Sequence, residues 1–131
     1  MSSENLNFIV VDDSKLDCFI AEKIIKNTGR VNTCNVFQQA SDALAFINDK
    51  EADTTKHIVF VDIQMPVMNG FEFVEAFEAL PEEKIKNHNI YMLSSSINEN
   101  DIAKVKGYAS VKRFLNKPLT NDTISTVLSE I

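Results

Sequence analysis

The chain has 131 residues, 44% of them hydrophobic and 24% charged, with a formal net charge of −6 at pH 7. That balance fits one globular domain with an ordinary core, and an acidic surplus without any basic stripe argues against a nucleic-acid surface. No apolar run approaches the ~18 residues of a membrane helix, and the opening Met1-Ser2-Ser3-Glu4-Asn5 lacks the basic and apolar regions of a secretory signal, so a cytoplasmic protein is expected.

In chain order, the first strand signal is Phe8-Ile9-Val10-Val11, which runs into Asp12 and Asp13. A helix is predicted over 15–28, with Leu16, Phe19, Ile20 and Ile24 on its buried face and Gly29 as its stop. Residues 31–37 read as a strand interrupted by Asn32 and Asn35. The second helix begins near Ser41, its predicted cap, and buries Ala43, Leu44 and Ile47. Ile58-Val59-Phe60-Val61 is the third strand and runs into Asp62. The third helix follows Gly70 and carries Phe73, Phe77 and Leu80 before Pro81. Residues 81–89 read as a charged surface loop, with Glu82-Glu83-Lys84 solvated and His88 within it. The fourth strand, Ile90-Tyr91-Met92-Leu93, runs into Ser94, and a short fourth helix over 99–106 has Ile102 and Val105 as its apolar positions. Residues 111–115 form a strand interrupted by Lys112 and Arg113, followed by Asn116-Lys117-Pro118. The fifth helix, from about Asn121, places Ile124, Val127, Leu128 and Ile131 at helical spacing.

Strands alternating with helices predict an α/β, doubly wound parallel sheet with helices on both faces. Four apolar residues in a row mark strands buried on both sides, so strands 1, 3 and 4 belong in the centre and strands 2 and 5 at the edges. Cys18 and Cys34 lack metal-ligand spacing and read as buried free thiols. His57 and His88 have no neighbouring constellation in the sequence. Met65 and Met68 are expected to pack beside the site.

In a parallel sheet the carboxyl ends of the strands line the ligand crevice. Asp12, Asp13 and Asp62 are expected there with Lys117 opposite, and clustered carboxylates repel unless a cation relieves them. The set reads as a Mg²⁺ and phosphoryl site. Asp62 is the candidate nucleophile, because a carboxylate can attack phosphorus to give an acyl phosphate. Asp12 and Asp13 are candidate Mg²⁺ ligands. Lys117 offers a compact positive charge to Asp62 and to a phosphoryl oxygen, and Ser94 can donate its hydroxyl to such an oxygen. Each has a plainer alternative: a turn cap for Asp62 or Ser94, an N-terminal helix cap at Asp12, Asp13 or Ser14, a solvated side chain for Lys117.

Val11-Asp12-Asp13, Asp62-Ile63-Gln64-Met65-Pro66-Val67-Met68-Asn69-Gly70, Leu93-Ser94-Ser95-Ser96 and Asn116-Lys117-Pro118-Leu119 together resemble the receiver (CheY-like) domain of two-component response regulators, from about residue 6 onward. The resemblance implies a flavodoxin-like (βα)5 fold with strand order 2-1-3-4-5, and a single receiver domain over 1–131 without an output domain. It implies a stand-alone switch that takes a phosphoryl group onto Asp62 from a sensor histidine kinase or a histidine phosphotransfer protein, and that catalyses its own phosphorylation and dephosphorylation. It also implies the Gln64 backbone carbonyl as a Mg²⁺ ligand, a cis Lys117–Pro118 bond, and Gln64 and Ser96 flanking the hydrolytic water. Ser94 and Phe114 match the switch positions, and a downstream protein would bind across the fourth helix, fifth strand and fifth helix.

Other classes fit less well. A haloacid-dehalogenase-type phosphatase calls for Asp-x-Asp and a Thr after the first strand, where this chain has Asp12-Asp13-Ser14. A flavodoxin-like cofactor binder needs a small polar phosphate cradle there, and two carboxylates would repel phosphate. A receiver fold that docks partners without phosphorylation is the remaining alternative.

Overall fold

A computed structural model describes residues 5–51, 55–96 and 98–131; most of the opening segment read above lies outside them. Elements follow in the order β1 (Leu6–Val11), α1 (Lys15–Lys26), β2 (Val31–Phe37), α2 (Ala40–Asp49), β3 (His57–Asp62), α3 (Gly70–Glu78), α4 (Glu82–Ile85), β4 (His88–Ser94), α5 (Glu99–Val105), β5 (Val111–Asn116) and α6 (Asn121–Ser129). All pairings are parallel, in the order β2-β1-β3-β4-β5. This is the doubly wound sheet that the alternation predicts.

The period of two along each central strand divides the core between two layers. Ile9, Val11, Val59, Val61, Ile90 and Met92 face α2, α3 and α5, where they meet Ala43, Ile47, Phe73, Phe77 and Val105. Phe8, Val10, Ile58, Phe60, Tyr91 and Leu93 face α1 and α6, against Cys18, Ala21, Ile25, Ile124 and Val127. Full burial of each Val, Leu, Ile, Phe or Met among them stabilises the fold by about 1.5–3 kcal/mol. β2 and β5 are only partly buried, as their polar interruptions imply.

Four local expectations need correction. The buried face of α1 is Cys18, Ala21 and Ile25, while Leu16 and Phe19 are 66% and 63% exposed. Apolar residues cover so much of this helix that periodicity permits more than one inward face. α2 starts one residue before Ser41, with Gln39 at the cap position and no side-chain capping bond. The segment 81–89 is not wholly loop: Glu82–Ile85 makes one helical turn and β4 begins at His88. His88 is therefore buried, and its ring stacks on His57 with centroids 4.3 Å apart, because β3 and β4 pair these two residues in register.

Candidate functional site

After β1 the chain turns to β2 on one side, then crosses back to place β3 on the other side of β1. That reversal opens a crevice at the carboxyl ends of β1 and β3. Asp12 follows β1 and Asp62 ends β3; both are buried, at 2% and 6% exposure. Asp12 Oδ1 accepts the Ser14 amide at 2.9 Å, and Ser14 caps α1 by accepting the Asp17 amide on its Oγ at 3.2 Å. Asp62 Oδ1 accepts the Gln64 amide at 3.3 Å.

Behind Asp62 the chain must turn sharply into α3. Val67 takes a positive φ of 69°, costly for a β-branched residue, and Asn69 closes a reciprocal capping box with Glu72. Gly70 then lies so close to the strand end that its amide reaches Ile63 O at 2.9 Å. A Cβ there would sit 2.6 Å from the Asp62 carbonyl oxygen. The glycine admits α3 to its place behind Asp62.

Lys117 comes from the end of β5, where its amide donates to Ser94 O at 2.9 Å and its bond to Pro118 is cis. Its Nζ lies 2.6 Å from Asp12 Oδ2, 2.8 Å from Asp17 Oδ2 and 3.4 Å from Asp62 Oδ2. Burial disfavours the ammonium, but hydrogen bonds to Asp12 and Asp17 and the charges of Asp12 and Asp62 outweigh it and raise its pKa. Burial also pushes the Asp62 carboxyl up to about 6, opposed by Lys117 and reinforced by Asp12. The Cys18 thiol, donating to Asp12 O at 3.2 Å, is pushed up to about 11 by burial and the neighbouring acids, so it stays neutral.

Asp12, Asp13 and Asp62 each bring a carboxylate oxygen within 4.8 Å of the others. An all-oxygen, anionic set with one ammonium beside it suits a hard divalent cation, and Mg²⁺ fits it. Ser94, fully buried at the end of β4, accepts the Ser96 amide at 3.1 Å. Phe114 is half-buried on β5, opposite Met92, and packs on the α2–α3–α5 side of the sheet. Gln64 and Ser96 are exposed beside the crevice, and Met65 and Met68 pack against the core. The expected residues thus gather on neighbouring strand ends, with Phe114 set back along β5.

Asp17 is the residue that sequence reasoning missed. Ser14-x-x-Asp17 carries the spacing of a capping box, which assigns its acid to the helix end. In the fold only half the box forms, and the carboxylate reaches Lys117, 100 residues away in sequence.

Protein PilG of Pseudomonas aeruginosa is 33% identical over 124 residues, 93% of this chain and 84% of that protein. The sensor histidine kinase CheAY of Helicobacter pylori is 27% identical over 92% of this chain, which spans 14% of its length. A response regulator receiver protein from Dyadobacter fermentans superposes with a TM-score of 0.87 at 30% identity, over 95% of this chain and 96% of that one. A model of the response regulator receiver domain matches residues 8–129, nearly the whole of the described sheet and its helices. On that match, and on its likeness to PilG and to the Dyadobacter receiver structure, the chain belongs to the receiver domain family of two-component response regulators.

Proposed function

We propose that Asp62 accepts a phosphoryl group from a phosphohistidine donor, either a sensor histidine kinase or a histidine phosphotransfer protein. The observation that carries this reading is the Lys117 ammonium 2.6 Å from Asp12 and 3.4 Å from Asp62, at the crevice where Asp13 adds a third carboxylate. A solvated surface lysine would not be 12% exposed and set between two buried acids.

Lys117 favours the ionised form of Asp62 that the attack requires, against the burial that disfavours it. One carboxylate oxygen attacks phosphorus in line with the bond to the donor's imidazole nitrogen. The O–P bond forms and the N–P bond breaks, its electron pair staying on an imidazole that leaves neutral when its other nitrogen is protonated. Asp12, Asp13, Asp62 and the Gln64 backbone carbonyl would hold Mg²⁺, which when bound neutralises charge on the phosphoryl oxygens. Lys117 pairs with one of those oxygens, and Ser94 donates its hydroxyl to another. Gln64 and Ser96 flank the path of the water that later hydrolyses the acyl phosphate.

The switch runs from Ser94 to Phe114 and alters the surface formed by α5, β5 and α6, where a downstream protein binds. α5 buries only Val105, which suits an element of low local stability. Intact mass after incubation with acetyl phosphate and Mg²⁺ tests the reading. The unsubstituted protein gains one base-labile phosphoryl group and Asp62→Ala gains none. Equal labelling of Asp62→Ala would refute the assignment.

A further inference from the structure

Lys117 has more anchors than the phosphoryl chemistry requires. Its two nearest oxygens belong to Asp12 and Asp17, at 2.6 and 2.8 Å, and the acceptor Asp62 is the farthest of the three at 3.4 Å. Asp12 belongs to the candidate cation cluster, but Asp17 does not. Asp17 stands on the first turn of α1, its amide tied to Ser14 Oγ, so its carboxylate is held by the helix rather than by a flexible loop. The Lys117 side chain is 12% exposed and that of Asp17 37%, so this ion pair is shielded on the lysine's side only.

From this geometry we infer that Asp17 is a positioning residue that holds Lys117 toward α1 and competes with the phosphoryl group for its ammonium. The inference rests on the phosphoacceptor reading above. An ammonium has three N–H donors, and at rest two of them are directed to the β1–α1 side of the crevice. The Asp17 contact, at 2.8 Å against 3.4 Å for Asp62, draws the ammonium away from Asp62 and from a phosphoryl oxygen on it. The charges act in the same direction. Asp12, Asp13, Asp17 and Asp62 carry four negative charges against one from Lys117 and two from a divalent cation. A phosphoryl group on Asp62 adds further negative charge, and Asp17 then opposes it both directly and by retaining the lysine. Asp17 therefore lowers the gain from phosphorylation and favours the resting state.

Asp17→Asn removes the charge at nearly constant shape. Beryllofluoride with Mg²⁺, titrated by amide NMR, should bind about five-fold more tightly to this variant, the factor equivalent to about 1 kcal/mol. Phosphorylation by acetyl phosphate, followed by intact mass, should accelerate by a similar factor. In a Lys117→Ala background the same substitution should change either quantity by less than about two-fold. The Lys117 ammonium resonance of the metal-free protein should also move on Asp17→Asn, a readout that needs neither phosphorylation nor a lysine variant. Unchanged or weaker beryllofluoride binding, an equal gain in both backgrounds, or an unmoved ammonium resonance would each overturn the inference. If the unsubstituted protein takes neither beryllofluoride nor phosphoryl while the resonance still moves, the phosphoacceptor reading fails and the competition falls with it, leaving only the ion pair.

Discussion

Replacing Gly70 with alanine adds one methyl group directly behind the phosphoacceptor candidate. Its Cβ would lie 2.6 Å from the Asp62 carbonyl oxygen, 2.8 Å from Ile63 Cα and 3.0 Å from Met92 Cε. The methionine end can swing aside, but the two backbone atoms lie at and just beyond the end of β3, where Asp62 pairs with Leu93 of β4 and the Ile63 amide bonds to Leu93 O at 2.9 Å. A carbon and a carbonyl oxygen approach comfortably at about 3.3 Å, so the first turn of α3 must retreat by roughly 0.7 Å. That movement strains the 2.9 Å bond from the Gly70 amide to Ile63 O. Overpacking of this kind costs about 1–3 kcal/mol, and the rigid neighbours place Gly70→Ala at the upper end. Urea unfolding without Mg²⁺ should show a loss of about 2–3 kcal/mol, and the thermal midpoint should fall by roughly 6–12 °C. Below that midpoint, phosphorylation should slow at least about tenfold, because the retreat of α3 pulls on the 63–69 turn that follows Asp62 and misplaces the crevice by a large fraction of an ångström. Gly29→Ala is the control: its Cβ meets nothing within 4 Å, and only the positive φ of 71° opposes it. It should cost about 1–2 kcal/mol and leave phosphorylation unchanged. A Gly70→Ala protein within 0.5 kcal/mol of the unsubstituted one, phosphorylated at the same rate, would refute this account of how Asp62 is positioned.

Asp13→Asn should weaken Mg²⁺ binding by at least about tenfold and raise the metal-free thermal midpoint, since it relieves repulsion among the carboxylates; equal affinity by calorimetry would place the ion elsewhere. His88 should make the fold acid-sensitive. Burial, with smaller contributions from His57 and Lys50, lowers its pKa to about 4, and its Nε2 is buried without a hydrogen-bond partner among the described residues. The folded protein thus resists a proton that the unfolded chain accepts below about 6.5, so stability present at pH 7 is lost as pH falls toward 4. Between pH 7 and 4.5 the advantage of the unsubstituted protein over His88→Phe in urea unfolding should shrink by about 2 kcal/mol; a constant gap would sink the assignment. Ser94→Ala should still bind beryllofluoride, but the amide shifts it produces at residues 102–106 and 111–115 should shrink. Silence of those amides in the unsubstituted protein would mean that this face does not carry the signal.

Composition and period specify a parallel sheet and the residues that end its strands, while the strand order followed from the resemblance to receiver domains. Four consecutive apolar residues at Phe8, Ile58 and Ile90 can be satisfied only by strands covered on both faces. In such a sheet the residues that follow emerge at one edge, which groups Asp12, Asp13, Asp62, Ser94 and Lys117 from the sequence. What sequence does not encode locally is the rotation of one element against another. The wide apolar surface of α1 allowed Leu16 and Phe19 inward, and packing on Phe8 and Val10 chose Ala21 and Ile25 instead. The same rotation aimed Asp17 at Lys117 rather than at its own helix end. Strand register placed His57 beside His88, although each looks solitary in the chain. Such pairings join residues distant in sequence, and their energy exists only after the loops between them have closed. Local propensity carries no trace of them; the docked sheet and helices decide them.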